Sequence, residues 1–222
     1  MLKYYCSYPS VKLKKDNPFL GLLSKHLYDL DWEHKFIKFR TFSLILNRNK
    51  IKLLWFHWPS SIWRRGSLFL RIFKIFRFFY HIYLAKILGY KIVWSSHNVL
   101  PHESQFMSFE LIIRKLFVKN VDLVIGHAKT VLTMLNEQNI YPNKYILAIH
   151  GHYEDVYNKK NIKISRTTLG FKRKDIVVFL KSSGKNYESA FNFITDSLLF
   201  DLKNIKLLVV GEKTVEHPNV KH

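Results

Sequence analysis

The chain has 222 residues, 48% of them hydrophobic, which suffices for one large domain or one and a half ordinary ones with a sizeable core and excludes a disordered chain. A single cysteine, Cys6, excludes a disulfide framework and a cysteine-ligated metal site, suits a reducing compartment, and is expected as a buried thiol. Thirty-six basic residues against 16 acidic ones give a formal charge of +20, which calls for an anionic partner: nucleic acid, phospholipid or a phosphorylated substrate.

The opening MLKYYCSYPS has neither the long apolar core nor the small-residue cleavage site of a signal peptide, so cytoplasmic residence is expected. Residues 3–7 read as a first strand and residues 10–16 as a basic loop. Asn17 followed by Pro18 is a helix start, a capping side chain with proline at the first helical position, leading into FLGLLSKHLYDL. Residues 34–39 alternate as a second strand does. Residues 52–56, KLLWF, form a third, buried strand that breaks into His57-Trp58-Pro59. Strand, helix, strand, strand and then a long helix is an α/β pattern.

That long helix, residues 64–88, is both apolar and basic. Arg71, Lys74, Arg77 and His81 recur at helical spacing and fall along one stripe, while Phe69, Phe73, Phe76, Phe79, Tyr80 and Tyr83 fill much of the rest. With a charge each turn it lacks the run of about 18 uncharged apolar residues that a membrane span requires. Two readings fit. One is a helix lying on anionic lipid, with Arg64, Arg65, Arg71, Lys74 and Arg77 as membrane contacts. The other is a crossover helix packed on a sheet with its cations solvated. They are compatible, because the apolar arc is wider than one sheet contact needs.

Lys91-Ile92-Val93-Trp94 then reads as a strand buried on both faces, and it breaks abruptly into polar chemistry: Ser95, Ser96, His97, Asn98, His102 and Glu103, with Pro101 marking a turn. In open α/β sheets that carboxyl edge is where ligands bind. Residues 104–118 read as a helix with Ser104 as candidate cap, residues 121–125 (VDLVI) as a strand ending in Gly126-His127, and residues 129–138 as a further helix. Residues 145–149 (YILAI) form a strand that stops on His150-Gly151-His152-Tyr153. Four strands thus end in histidine-bearing loops, at His57, His97, His127 and His150, and in a parallel sheet those ends converge on one rim. From residue 154 the composition turns polar. A first domain over 1–155, a linker over 156–171 and a second unit over 172–222 are expected, with a short helix finishing at 167–171, strands at 176–180 and 205–210, and a helix at 188–200. That is the first β-α-β of a second α/β unit, and a unit of this size reads as an unfinished domain.

In segment order and motifs the chain resembles glycosyltransferases of the GT-B fold, in particular bacterial capsule and exopolysaccharide enzymes related to family four and to β-mannosyltransferases. The resemblance rests on Asn17-Pro18-Phe19, His57-Trp58-Pro59, Ser96-His97-Asn98 with Pro101-His102-Glu103, the strand Val121-Asp122-Leu123-Val124-Ile125, and His150-Gly151-His152-Tyr153. It implies two Rossmann-like domains, the first holding the acceptor, often a lipid-linked sugar, and the second a nucleotide-sugar donor. It also implies a peripheral place on the inner face of the cell membrane and no metal or other cofactor, helix amino-termini and basic side chains serving the leaving diphosphate. Where relatives grip that diphosphate this chain has Ser182-Ser183-Gly184-Lys185, so Gly184 and Lys185 are the expected donor-phosphate contacts. The paired-glutamate segment of many relatives has no counterpart after Val210, and the donor half is expected to be truncated.

By resemblance His97 sits beside the reacting sugar, and Glu103 is either the general base for the acceptor hydroxyl or the cap of the helix near Ser104. His57 and Trp58 are candidates for stacking on an acceptor sugar, against the alternative that the tryptophan belongs to the core. Asn98 fixes the turn, His102 supports the site from behind, and His150 with Gly151 shapes the hinge between domains. A metal site from His97, His102 and His127 is disfavoured by irregular spacing. Two other classes compete: a noncatalytic membrane-associated fragment, favoured by the short donor half, and a nucleic-acid-binding protein, favoured by charge but lacking any recognisable module.

Overall fold

The computed structural model describes residues 2–10, 18–99, 107–151, 153, 156–157, 162–182, 205–211 and 220–221. The chain divides into two compact units, Met1–Tyr153 and Glu154–His222.

The first unit is an all-parallel six-stranded sheet whose spatial order is β2-β1-β3-β4-β5-β6. Its strands are β1 (Lys3–Tyr8), β2 (Trp32–His34), β3 (Ile51–Phe56), β4 (Lys91–Ser96), β5 (Leu123–Gly126) and β6 (Tyr145–Leu147). Between them run α1 (Phe19–Tyr28), α2 (Thr41–Asn47), α3 (Leu68–Ile87), α4 (Met107–Lys119) and α5 (Thr130–Glu137). Strand following helix following strand, with parallel neighbours, is the Rossmann-like architecture expected from the segment order. The order reverses between β1 and β3, which makes the crevice outside their carboxyl ends the switch point of the sheet.

The sheet sorts its side chains by the two-residue period of a strand. Cys6, Leu54, Phe56, Ile92, Trp94 and Val124 face one way and build the larger core with Leu44 of α2, Phe78 and Ile82 of α3, Phe117 of α4 and Leu135 of α5. Tyr5, Trp55, Val93 and Ile125 face the other way, under Leu23 and Leu27 of α1. The first core takes four helices and the second, among the described residues, is served by α1.

Several boundaries differ from expectation for physical reasons. The second strand lies at Trp32–His34, not 34–39. Lys35 donates the last ladder bond to the Tyr5 carbonyl, after which Ile37 N–H reaches Cys6 Sγ (3.4 Å) and the Tyr8 hydroxyl donates to the Ile37 carbonyl (2.9 Å). Side chains therefore satisfy this backbone in place of a ladder. Helix α2 is short and was not marked out by periodicity; Leu44 is its one buried residue. Helix α3 starts four residues later than residue 64, where Ser67 accepts from Leu70 N–H as N-cap, and ends before Gly89, whose φ of +82° is the left-handed turn that favours glycine. Helix α1 begins at Phe19 with Pro18 in the N-cap position, and Asn17 lies outside the described residues.

The second unit contains α6 (Ile162–Thr168) and a parallel sheet of β7 (Ile176–Ser182), β8 (Ile205–Gly211) and β9 (Val220–Lys221) in the order β7-β8-β9. The helix expected at 188–200 lies outside the described residues.

Candidate functional site

The period of the strands explains the site. His57 follows Trp55 by two residues, His97 follows Ser95, and His127 follows Ile125, so each histidine extends the face of the sheet that α1 covers. On β6 the partner of Ile125 is Ile146, and two further steps of two lead to His150 on that same face. Four histidines from four strand ends thus share one rim.

Phe19, the first residue of α1, sits among all four rings, with centroid separations of 5.6 Å to His57, 4.8 Å to His97, 5.5 Å to His127 and 4.6 Å to His150. His97 stacks on His127 at 4.6 Å and on Trp58 at 4.5 Å, the latter nearly parallel at 17°. His57 Nδ1 lies 3.3 Å from His97 Nε2, a hydrogen bond in which one ring donates and the other accepts. His127 Nδ1 lies 2.8 Å from the Ala148 carbonyl, so that nitrogen carries the proton. Its Nε2 and that of His57 are buried without a hydrogen-bond partner among the described residues.

Burial and crowding favour the neutral form of His57, His97 and His127. Burial, with the neighbouring His127 and His150, lowers His97 from 6.5 to about 3. Burial first, then His97 and His127, holds His57 well below its ordinary value. His127 is lowered by burial, against the opposing pull of the Ala148 carbonyl. A neutral imidazole offers one N–H and one lone pair, so the rim presents hydrogen-bonding nitrogens between apolar ring faces. That suits a polyhydroxylated ring better than a bare proton transfer, because a ring as weakly basic as His97 holds a hydroxyl but is a poor acceptor of its proton at neutral pH. Among the described residues no group of three histidine, cysteine or carboxylate side chains is arranged to hold a metal ion.

The structure brings His57, His97 and His150 together and places Trp58 against them. His57 is only 1% exposed, stacked on Trp55 (5.4 Å, 20°) and edged by Phe19, so its ring lies at the floor of the rim. Trp58 is half-buried, as His97 is. Asn98 and Gly151 are exposed at the same edge. His102, Glu103, Gly184 and Lys185 lie outside the described residues. Phe19 and His127 complete the rim. His127 is expected on this rim from the sequence but without a role in the site, whereas Phe19 enters only through the Asn17-Pro18-Phe19 motif and nothing in the sequence ties it to four distant loops.

Two buried polar pairs stiffen the strands below. Trp55 Nε1 donates to Ser95 Oγ at 2.9 Å, joining β3 to β4 under the histidines. Trp63 Nε1 donates to Glu110 at 3.2 Å, and the Arg114 guanidinium lies 4.7 Å over the Trp94 ring. Burial lowers Arg114 to about 10, with Glu110 opposing the shift.

The expected basic stripe of α3 is not uniformly solvated. His81 is buried, its Nδ1–H donating to the Arg77 carbonyl at 2.7 Å and its Nε2 facing Thr41 Oγ1 at 3.3 Å. Arg71 Nε donates to the Gly66 carbonyl and Lys74 Nζ to the Arg65 carbonyl, so these cations cap the entrance of the helix. Arg65 is exposed and Arg64 half-buried. Apolar residues carry the outer face: Phe69 is 82% exposed and Phe76 72%, with Phe42 of α2 at 74%. No described helix is long and apolar enough to cross a membrane.

Neither a protein-family model nor a curated protein sequence matches the chain. Solved structures do. Anabaena Alr3699/HepE in complex with UDP superposes with a TM-score of 0.60 at 13% identity, over 95% of this chain and 61% of its own. The likeness is one of fold. The UDP-glucose complex of that protein gives the same values, and its complex with UDP and glucose gives a TM-score of 0.54 at 14% identity over 96% of this chain. The chain therefore spans about 61% of the length of these structures.

Proposed function

We propose that the chain is a GT-B-type glycosyltransferase that moves a sugar from a nucleotide-sugar donor to a saccharide acceptor, its first unit serving the acceptor. The observation that carries this reading is the rim of four histidines along the carboxyl edge of a sheet whose fold matches a protein bound to UDP and to UDP-glucose. Nitrogens that donate and accept, set between flat apolar faces, match the alternating hydroxyls and C–H faces of a pyranose.

In this reading His97 and Trp58 hold the sugar, His57 orients His97 from below, and His127 and His150 close the far side. Glu103, six residues beyond His97 in the sequence, takes the proton of the acceptor hydroxyl, and Gly184 and Lys185 meet the donor phosphates. The acceptor is lipid-linked and belongs to surface-polysaccharide synthesis of the capsule or exopolysaccharide kind, and the enzyme works at the inner face of the membrane. The exposed aromatic face of α2 and α3, rimmed by Arg65 and Arg71, supports that placement.

The test is transfer from radiolabelled UDP- and GDP-sugars to a glycolipid extract. One donor is expected to label the lipid fraction, with His97→Ala lowering kcat at least 100-fold and Glu103→Gln abolishing turnover. Labelling that persists unchanged in both variants would remove these residues from the site. Absence of transfer from every donor, with vesicle binding intact, would leave a noncatalytic membrane-associated protein.

A further inference from the structure

A second cavity, of about 450 Å³, lies beside the rim and shares Trp58 with it. Four cations line it: Lys38, Arg40, Lys74 and Arg77, and no carboxylate is among its described lining residues. Lys38, Arg40 and Arg77 make no side-chain hydrogen bond or ion pair among the described residues, and Lys74 has only the Arg65 carbonyl. Its other walls are aromatic, chiefly Phe36, Phe39 and Trp58.

Like charges gathered in a concave site without an acid repel one another, and the arrangement is relieved by an anion. Two arginines and two lysines offer more donors than one carboxylate can use and match the several acceptor oxygens of a phosphate, which the guanidinium fork can grip with two parallel bonds. The cavity is also larger than a phosphate group alone needs, and its aromatic walls cannot be satisfied by one. We propose that this pocket, which adjoins the histidine rim at Trp58, binds a phosphate ester whose other half is a ring or hydrocarbon, the phosphate between Arg40 and Arg77 and the apolar part against Phe36, Phe39 and Trp58. The ester is either a free soluble molecule or the headgroup of a lipid, since the same cations serve both.

This inference uses no donor site, so it stands or falls separately from the transferase reading. The experiment takes the full chain and two probes: phenyl phosphate by calorimetry, and flotation with phosphatidylcholine vesicles with and without phosphatidic acid. The double variant Arg40→Gln, Arg77→Gln is compared with Lys119→Gln, which removes a charge from the exposed end of α4. Saturable binding of at least one probe is expected, weakened 10-fold or more by the double variant and less than 2-fold by Lys119→Gln. Binding of phenyl phosphate identifies a soluble ester, and binding confined to phosphatidic acid vesicles a headgroup. Lys38→Gln, in an extended segment outside the helices, repeats the comparison without touching α2 or α3. The proposal is overturned by the absence of saturable binding to both probes, or by equal weakening in the control.

Discussion

Replacing His97 with glutamine tests the electrostatic account of the rim. The side chain keeps a donor and an acceptor for His57 Nδ1 but no longer titrates. In the native protein His97 is lowered from 6.5 to about 3, so below pH 6.5 the unfolded chain binds a proton that the folded chain refuses. Its contribution to stability is therefore complete above pH 6.5 and is lost as pH falls towards 3. At about 1.4 kcal/mol per pH unit the full effect is roughly 5 kcal/mol, and solvent screening of a partly exposed ring reduces it to roughly half. Between pH 7 and pH 5 the native protein should lose about 1–2 kcal/mol more than the variant, which also frees His57 and His127 from one neighbour. Urea unfolding followed by tryptophan fluorescence measures this cleanly. All five tryptophans lie between Trp32 and Trp94, so the signal reports the unit Met1–Tyr153 alone. Parallel pH dependences for the two proteins, within about 0.5 kcal/mol, would refute the reasoning.

Ser95→Ala leaves the buried Trp55 N–H without its acceptor and should cost about 1–3 kcal/mol in the same urea assay; a shift below about 0.5 kcal/mol would mean the bond contributes nothing net. Glu110→Ala strips Trp63 of its acceptor and removes the charge that opposes the lowering of the buried Arg114, with an expected loss of about 3–5 kcal/mol, whereas Glu110→Leu combined with Arg114→Met should be milder because the guanidinium is removed as well. If the double variant is the worse of the two, the buried pair stabilises the fold in its own right. Phe19→Ala opens the centre of the rim to water, and the imidazole C–H resonance of His97 should then titrate closer to 6.5; an unchanged titration would show that Phe19 does not keep the rings dry.

The sheet was legible in the sequence because its strands are short apolar runs that stop on polar residues: Ile51–Phe56 before His57, Lys91–Ser96 before His97, Leu123–Gly126 before His127. A parallel sheet has one carboxyl edge, so the convergence of the histidines followed from counting strands. Their shared face was not part of that expectation: it emerges from strand parity in the structure, with the pairing of Ile125 and Ile146 bringing His150 into line. Other features carry no local signal. The burial of His81 depends on α2 passing beside α3, and the charge cluster of Lys38, Arg40, Lys74 and Arg77 unites an extended loop with a helix more than thirty residues away in sequence. On α3 alone, the stripe read equally as lipid contacts or as solvated cations, since helical periodicity orders residues around an axis without saying what packs against each side.

The central claim is that this chain handles a nucleotide sugar, and calorimetric titration of UDP- and GDP-sugars into the full chain, with anionic vesicles present, tests it most directly. The account predicts saturable binding of one nucleotide's sugars with micromolar to millimolar affinity, and a weaker response for the free sugar. No heat of binding for any nucleotide sugar, from protein whose tryptophan fluorescence reports a folded first unit, would contradict it.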